Sequence, residues 1–192
     1  MKMAIEPKYR RSDRSLEPSA FVVRSTKELL ESTRGAPILD LACGSGRNAL
    51  WLAQHGCTVV CLDKDLDRLR ATQAQLRRGS STASRFLSRI LPIRLDLLLD
   101  PWPFRPRAFG AIVNVHFLSL ALLPWIENSL QPGGLLLLET IPGHGCNYLE
   151  LPSSGQLKRS LCDAFDVRLY RERRVGPRGC DAVVVKLLAW RR

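Results

Sequence analysis

The sequence predicts an α/β fold: a doubly wound, mostly parallel sheet of seven strands that ends in an antiparallel hairpin. Short apolar runs alternate along the chain with segments of helical spacing, which is typical of parallel strands joined by helices. A glycine-containing turn links the first apolar run to a helix, and the last two strand-like runs are separated only by a turn.

The predicted elements follow one another without internal repeats. Residues 1–17 are polar and charged and form an N-terminal arm, and residues 18–192 form one domain. Within it we predict helices and strands in this order: helix 18–33, strand 38–41, helix 48–55, strand 58–62, helix 66–77, a short helical turn at 85–91, strand 91–97, strand 109–115, helix 118–130, strand 133–141, helix 155–165, and a hairpin of 166–175 with 181–190.

Local signals bound several of these elements. The first helix carries four apolar side chains on one face: Phe21, Val22, Leu29 and Leu30. Gly56 lies where a left-handed residue ends the second helix. Gly, Ser and Thr in 79–84 predict a loop, and the prolines of 100–106 predict a rigid one. The residues Gly-Pro-Arg-Gly at 176–179 close the terminal hairpin.

Composition limits the class of protein. The chain has 192 residues, 45% of them hydrophobic, which suits one domain with a sizeable core. No stretch reaches the ~18 apolar residues of a membrane span, and the N-terminus lacks the apolar region of a secretory signal, so we expect a cytoplasmic protein without a membrane partner. The six cysteines lack zinc-ligand spacing, so we expect reduced thiols and no metal site.

The net charge of +11 leaves two interpretations open. Basic clusters at 8–11 and 171–174 suit an anionic partner such as nucleic acid. Neither cluster is interleaved with several aromatic residues that could stack on bases, which favours a solvated basic surface. Nothing in the sequence determines the oligomeric state.

A turn after the first strand predicts a cofactor site. Asp40 lies near the strand's end, and Gly44 and Gly46 then lead into a helix, an arrangement that brings backbone close to a nucleotide-like cofactor. Asp63 ends the next strand, 19 residues after Gly44, where a carboxylate can accept both hydroxyl protons of a ribose. The alternative for Asp63 is a cap for the helix at Leu66.

Two cofactor classes use this layout, nicotinamide dinucleotides and S-adenosylmethionine. Residues 44–49 fit G-x-G-x-x-A, so an NAD(P)-dependent oxidoreductase is one alternative. The carboxylate of Asp40 favours the other, because it would repel a pyrophosphate and suits a cofactor with an ammonium and a sulfonium.

Residues 40–46, Asp-Leu-Ala-Cys-Gly-Ser-Gly, resemble motif I of the class I S-adenosylmethionine-dependent methyltransferases. Asp63, 93–96, 109–115 and 132–139 follow in the order of that family's further motifs. Within the class, 46–53, 139–143 and 18–21 resemble the tellurite-resistance and related small-substrate branch. The terminal hairpin matches the reversed last strand of this family.

The resemblance implies S-adenosylmethionine as cofactor and a set of binding residues at the strand ends. Asp40 is expected on the ammonium side, Asp63 at the ribose hydroxyls, and Asp96 at the adenine amino group, with a turn role as the alternative for Asp96. The full set is Asp40, Ala42, Cys43, Gly44, Ser45, Gly46, Arg47, Asn48, Asp63, Lys64, Asp96, Leu97, Asn114 and Val115. The last two are expected to contribute their main-chain carbonyls.

Two histidines are candidates for catalysis. A base is needed only if the acceptor carries a proton that it does not lose unaided. His116 follows the fourth strand, where substrates bind in such sheets, and His144 lies in a glycine-containing loop after the fifth strand. The alternative for His144 is an ordinary loop residue. His55 is explained by its place at a helix C-terminus.

The sequence thus predicts an enzyme that transfers a methyl group from S-adenosylmethionine to a small molecule with a thiol, chalcogen or other heteroatom nucleophile. An RNA methyltransferase of the same fold is the alternative that the charge suggests. Residues 114–117 read Asn-Val-His-Phe and lack the Asp/Asn-Pro-Pro-aromatic motif of amino-group methyltransferases that act on bases, and no Pro-Cys dipeptide suggests a cytosine C5 enzyme.

Overall fold

The structure is a computed structural model that describes residues 16–79, 83–141, 151–177 and 179–192. Its strands are β1 (Ile38–Leu41), β2 (Val59–Asp63), β3 (Ile90–Arg94), β4 (Phe109–Val115), β5 (Leu130–Glu139), β6 (Phe165–Arg174) and β7 (Val183–Arg191). Its helices are α1 (Ala20–Arg24), α2 (Thr26–Thr33), α3 (Arg47–Gln54), α4 (Asp67–Gly79), α5 (Ala83–Leu87), α6 (Leu123–Ser129) and α7 (Gln156–Leu161), with a 3₁₀ turn at Leu120–Leu122.

The strands form one sheet in the order β3-β2-β1-β4-β5-β7-β6. The first five strands pair in parallel, and β7 runs antiparallel to both β5 and β6. The predicted fold class is therefore confirmed. The chain winds outward from β1 to β3 and returns to β4, so a crevice opens at the carboxyl ends of β1 and β4.

Helices cover both faces of the sheet because the buried strands are apolar on both sides. Ile38 of β1 packs in the cluster of α1–α5, whereas Leu39 and Leu41 pack in the cluster of α6 and α7. All three side chains are fully buried, and each such burial contributes about 1.5–3 kcal/mol to stability.

The predicted helix 18–33 is two helices that meet at Ser25. The Ser19 side chain accepts a hydrogen bond from the Phe21 N–H and so begins α1. At the junction the Thr26 hydroxyl donates to the carbonyls of Val22 and Val23. These local side-chain bonds compete with a continuous helical ladder.

Several boundaries differ from the predictions. The predicted helix 118–130 begins as a 3₁₀ turn, and β5 follows α6 at once, from Leu130 instead of residue 133. The predicted turn at 85–91 is α5, which begins two residues earlier and ends four residues earlier, because Ile90 already belongs to β3. Helix α7 ends at Leu161 because Phe165 starts β6.

None of the helices in the described part of the chain combines the length and the apolarity needed to cross a bilayer.

Close packing of α2 on the sheet depends on Gly110 of β4. A Cβ at this position would lie 2.6 Å from the carbonyl oxygen of Thr33, the last residue of α2. A main-chain atom cannot rotate away, so α2 would have to shift.

We expect Gly110→Ala to lower the free energy of unfolding by about 1–3 kcal/mol, the usual cost of overpacking a well-packed interface. Gly79→Ala is the matched control, because a Cβ there has no neighbour within 4 Å among the described residues. Urea denaturation of both variants checks this prediction, and equal midpoints would contradict it.

Candidate cofactor and active site

Two non-glycine residues adopt left-handed backbone conformations at the crevice. Ala42 (φ 52°) directly follows β1, and His116 (φ 67°) directly follows β4. Such a conformation costs a residue with a Cβ about 1–2 kcal/mol and is concentrated at functional sites. The backbone therefore marks the same sheet edge that the sequence motifs predict.

The glycine turn after β1 serves two purposes. Gly46 (φ 74°) precedes α3, and a Cβ on it would collide with the Leu69 side chain of α4. A Cβ on Gly44 (φ 57°) would have one described neighbour within 4 Å, Arg68 Nη1 at 3.9 Å. Gly46 thus allows helix packing, whereas Gly44 leaves open space where a ligand can approach the backbone.

Asp63 ties this turn to the end of β2. Its Oδ2 accepts a hydrogen bond from the Gly44 N–H (2.8 Å), and its Oδ1 accepts one from the Asp65 N–H (2.9 Å). The N–H of Asp67, the first residue of α4, instead donates to Asp65 (2.9 Å), so Asp65 makes the contact expected of a helix cap. Each Asp63 oxygen retains a further lone pair for a ribose hydroxyl.

Asp40 is a buried acid with one unsatisfied oxygen. It is 1% exposed, and the main-chain N–H of Ala49, in the first turn of α3, favours its charged form. Its Oδ2 has no partner among the described residues. Burial raises the pKa of Asp40 to about 7, although the Ala49 N–H and the Arg47 charge oppose this, and the Asp63 charge adds to it.

Asn114 and Val115 end β4 next to β1. Asn114 lies opposite Leu41 in the strand register, so its side chain lies on the other face of the sheet from Asp40. Its Oδ1 is buried and likewise has no partner within the described ranges. The two unsatisfied side chains therefore do not converge, and the predicted contribution of β4 remains that of its main-chain carbonyls.

Asp96 and Leu97 lie in a turn after β3. Asp96 Oδ1 accepts from the Leu98 N–H (3.0 Å), while the Asp96 N–H donates to Asp100 Oδ2 (2.8 Å). Asp96 therefore stabilises this turn, as the alternative interpretation predicted, and its contact with the adenine stays a prediction. Leu97 is buried, and Lys64 is exposed after β2.

Arg47 and His116 join α3 to β4. Arg47 Nη2 donates to His116 Nδ1 at 3.1 Å. A guanidinium can only donate, so Nδ1 accepts and the ring proton is assigned to Nε2. The His116 N–H donates to the carbonyl oxygen of Glu139 (2.7 Å), which fixes the end of β4 against β5.

The remaining predicted residues divide between the turn and a segment that is not described. Cys43, Ser45 and Asn48 are buried in or next to the turn, and Asn48 Oδ1 accepts from the Ser19 N–H (2.9 Å). His144 lies outside the described residues. Among the described residues no group of three or more His, Cys, Asp or Glu side chains could hold a metal ion.

Sequence reasoning missed an ion pair at the end of β5 between a buried glutamate and a partly exposed lysine. Glu139 accepts a hydrogen bond from the Ser19 hydroxyl and pairs with Lys186 Nζ at 2.8 Å. Burial alone would raise the pKa of Glu139, but the hydrogen bonds from Lys186 and Ser19 hold it below its ordinary value. The available signal was an acid that ends an apolar strand, as Asp63 also does.

These residues fit a cofactor that carries positive charge. Beside the glycine turn lie a buried, half-satisfied carboxylate at Asp40 and a second carboxylate at Asp63. Fixed acidic groups in this position attract an ammonium or sulfonium and disfavour a phosphate.

Residues 38–134, just over half of the chain, match the family described as the methyltransferase domain. The chain belongs to this family. The matched range contains β1 to β4 and every predicted cofactor-binding residue. The prediction of a class I methyltransferase that uses S-adenosylmethionine is thus confirmed, and the dinucleotide oxidoreductase is not retained.

Solved structures share the fold of this methyltransferase at low sequence identity. The glycopeptide N-methyltransferase MtfA complexed with S-adenosyl-L-homocysteine is 18% identical, with a TM-score of 0.57 over 95% of this chain and 94% of that one. The geranyl diphosphate C-methyltransferase of Streptomyces coelicolor A3(2) is 14% identical, with a TM-score of 0.63 over 88% and 80%. An S-adenosylmethionine-dependent methyltransferase of Mesorhizobium loti is 18% identical, with a TM-score of 0.60 over 90% and 99%.

Comparison with curated proteins finds no match.

Asp40 should make the stability of the methyltransferase depend on pH. Its pKa is 3.8 without the fold and about 7 within it, so between these values the folded chain binds a proton that the unfolded chain has lost. The contribution of Asp40 to the free energy of unfolding therefore falls as pH rises from about 4 to about 7.

We expect Asp40→Asn to remove this contribution. The free energy of unfolding, measured by urea denaturation at about pH 5 and at about pH 7.5, should then differ less between the two pH values in the variant than in the wild type. Asp67→Asn is the control, because that side chain is 75% exposed. A wild-type pH dependence retained in full by Asp40→Asn would contradict the assignment.

Proposed function

We propose that this methyltransferase acts on a small molecule and methylates a thiol, chalcogen or other heteroatom. The cofactor-binding part of this proposal rests on the buried Asp40 beside the glycine turn. Asp40 Oδ2 has no hydrogen-bond partner among the described residues. When bound, S-adenosylmethionine supplies an electrophilic methyl carbon on its sulfonium. The protein then has to align the acceptor with that carbon and exclude water.

We infer a distinct role for each strand end. The main chain of Ala42, Cys43, Gly44, Ser45 and Gly46 would lie against the methionine portion, with Arg47 or Asn48 adding a donor for its carboxylate. Asp40 would face the ammonium, Asp63 would accept from the ribose hydroxyls, and Asp96 and Leu97 would bind the adenine. The short hydrogen bond from Gly44 to Asp63 supports this proposal, because it holds the turn and the ribose acid in one unit.

We propose His116 and His144 as the groups that handle a proton of the acceptor. A base role for His116 requires its contact with Arg47 to open, because Nδ1 accepts from that guanidinium in the structure. The positive φ of His116 supports a functional role, since such strain is retained where the surrounding structure needs it.

The small-substrate assignment rests on the resemblance to the tellurite-resistance branch, which stays a proposal. The structural neighbours include enzymes named for a glycopeptide and for geranyl diphosphate, so this fold serves acceptors of different size. The five described cysteines are free thiols, which supports the cytoplasm as the proposed location.

An RNA methyltransferase is the second candidate. Its support is the net charge of +11 and the exposure of Arg171, Arg173 and Arg174 on β6. RNA binding whose affinity falls steeply with salt would favour this candidate, because phosphate contacts release counterions.

Titration calorimetry with S-adenosylmethionine and S-adenosylhomocysteine tests the proposed cofactor-binding residues. We expect Asp63→Ala to weaken binding by ~1–3 kcal/mol, because two hydroxyls lose a charged acceptor. Asp63→Asn keeps one acceptor oxygen and should lose less. Asp65→Ala is the matched control on the same loop and should bind the cofactor normally. Unchanged affinity of Asp63→Ala would show that this acid only holds the turn, and binding of NADH alone would overturn the proposal.

Turnover to S-adenosylhomocysteine with a pool of metabolites tests the histidines. We expect His116→Asn and His144→Ala to lower the rate, by roughly 10²-fold where the residue acts as a base, with cofactor affinity nearly intact. Asparagine tolerates the positive φ at position 116, so the variant removes the imidazole without adding backbone strain. His55→Gln, at the end of α3, is the control and should keep the wild-type rate. Full activity in both test variants would show that neither histidine takes part in catalysis.

A further inference from the structure

A basic groove lies beside the end of β5. It has a volume of about 440 Å³, and its lining includes Arg24, Arg171, Arg173, Lys186, Glu139 and Glu172. Arg24 is the last residue of α1, and the other five belong to β5, β6 and β7. The groove thus lies between the short first helix and the antiparallel part of the sheet.

Strand register places the basic side chains on one face. Lys186 of β7 lies between Glu139 of β5 and Arg171 of β6. Arg173 is two residues beyond Arg171 and so points to the same side of the strand. This is the face that α1 covers, because Glu139 accepts a hydrogen bond from Ser19 at the start of that helix.

The two acids at the groove are already engaged. Glu139 pairs with Lys186 and accepts from Ser19. Glu172 accepts hydrogen bonds from the Ser154 hydroxyl, the Gly155 N–H and the Tyr170 hydroxyl. Because Glu172 alternates with Arg171 and Arg173 along β6, its side chain is directed to the opposite face.

The three arginines therefore present uncompensated positive charge. Within the described ranges no carboxylate forms an ion pair with Arg24, Arg171 or Arg173. A guanidinium binds a carboxylate or a phosphate through two parallel N–H donors, and several around one concavity attract an anion.

The groove adjoins the end of β4, where the reaction is proposed to take place. The main-chain oxygen of Glu139 accepts from the His116 N–H, so the strand that contributes Glu139 to the groove also holds His116 in place. Neighbouring strands are about 4.8 Å apart, so β6, which carries Arg171 and Arg173, lies three spacings or roughly 14 Å from β4. A small molecule can span that distance.

We propose that this groove binds an anionic group, a carboxylate or a phosphate, on the small molecule that the enzyme methylates. The inference rests on the proposed methyltransferase function and adds the charge of its acceptor. Arg171 and Arg173 hold the anion, Arg24 closes it in from α1, and the Glu139–Lys186 pair keeps the sheet side rigid. A small molecule is favoured over RNA because the three arginines surround one concavity of about 440 Å³, and the described residues that line it include no aromatic side chain on which a base could stack.

The test compares two double variants. Arg171→Gln with Arg173→Gln removes the two groove charges of β6, and Arg77→Gln with Arg78→Gln removes two exposed charges at the end of α4. Both pairs change the net charge equally. Thermal unfolding of each protein verifies that it is folded, which is expected because all four side chains are exposed.

The probes are phenyl phosphate, benzoate and the uncharged benzyl alcohol, with binding measured by ligand-observed NMR at low salt. We expect both anions to bind the wild type and the α4 variant, to bind the β6 variant about tenfold or more weakly, and to compete with each other, whereas benzyl alcohol does not bind. The stronger of the two anions identifies the acceptor group. Equal anion binding by the two variants, or none by the wild type, would overturn the inference.

The same proteins are also tested for binding of a short single-stranded RNA. RNA binding that is lost in the β6 variant, with no binding of phenyl phosphate, would overturn the small-molecule assignment in favour of RNA. Calorimetry with S-adenosylmethionine is run on the same proteins and should give equal affinities. A wild type that binds the cofactor but neither anion would refute only this inference, whereas absence of cofactor binding in the wild type would refute the proposed function itself.

Discussion

The hydrogen bond from the Gly44 N–H to Asp63 Oδ2 is the interaction on which the site depends. It joins the glycine turn that follows β1 to the carboxylate that ends β2, and so holds two parts of the cofactor site in one unit. Beside this turn Asp40 is buried, and keeping its carboxylate out of water costs free energy that a cationic ligand at Oδ2 can recover.

The strands and the glycine turn were predictable because their signals are local. An apolar run such as that of β4 specifies a buried strand whatever lies around it, and Gly44 and Gly46 are needed for conformations that a Cβ disfavours. The split of the first helix at Ser25 was missed because Thr26 bonds to the preceding turn, a choice that helical periodicity does not reveal.

The rest of the site depends on contacts between distant residues. Ser19 and Glu139 are 120 positions apart, and Lys186 reaches Glu139 only because β7 inserts between β5 and β6. The left-handed conformation of Ala42 also had no sequence signal, and that of His116 had only a weak one, because histidine adopts positive φ more often than most residues but still uncommonly. The position of Asn114 was predicted, but the side to which it points follows from strand register.

The two edges of the sheet show how the fold avoids unwanted association. An exposed edge strand offers unpaired main-chain groups to any other strand. At one edge, β3 is only five residues long and contains Pro92, which has no N–H to donate. At the other edge, β6 carries exposed arginines, whose charges repel a second copy of the same strand. The side chains proposed to hold the acceptor's anion therefore also discourage the protein from aggregating edge to edge.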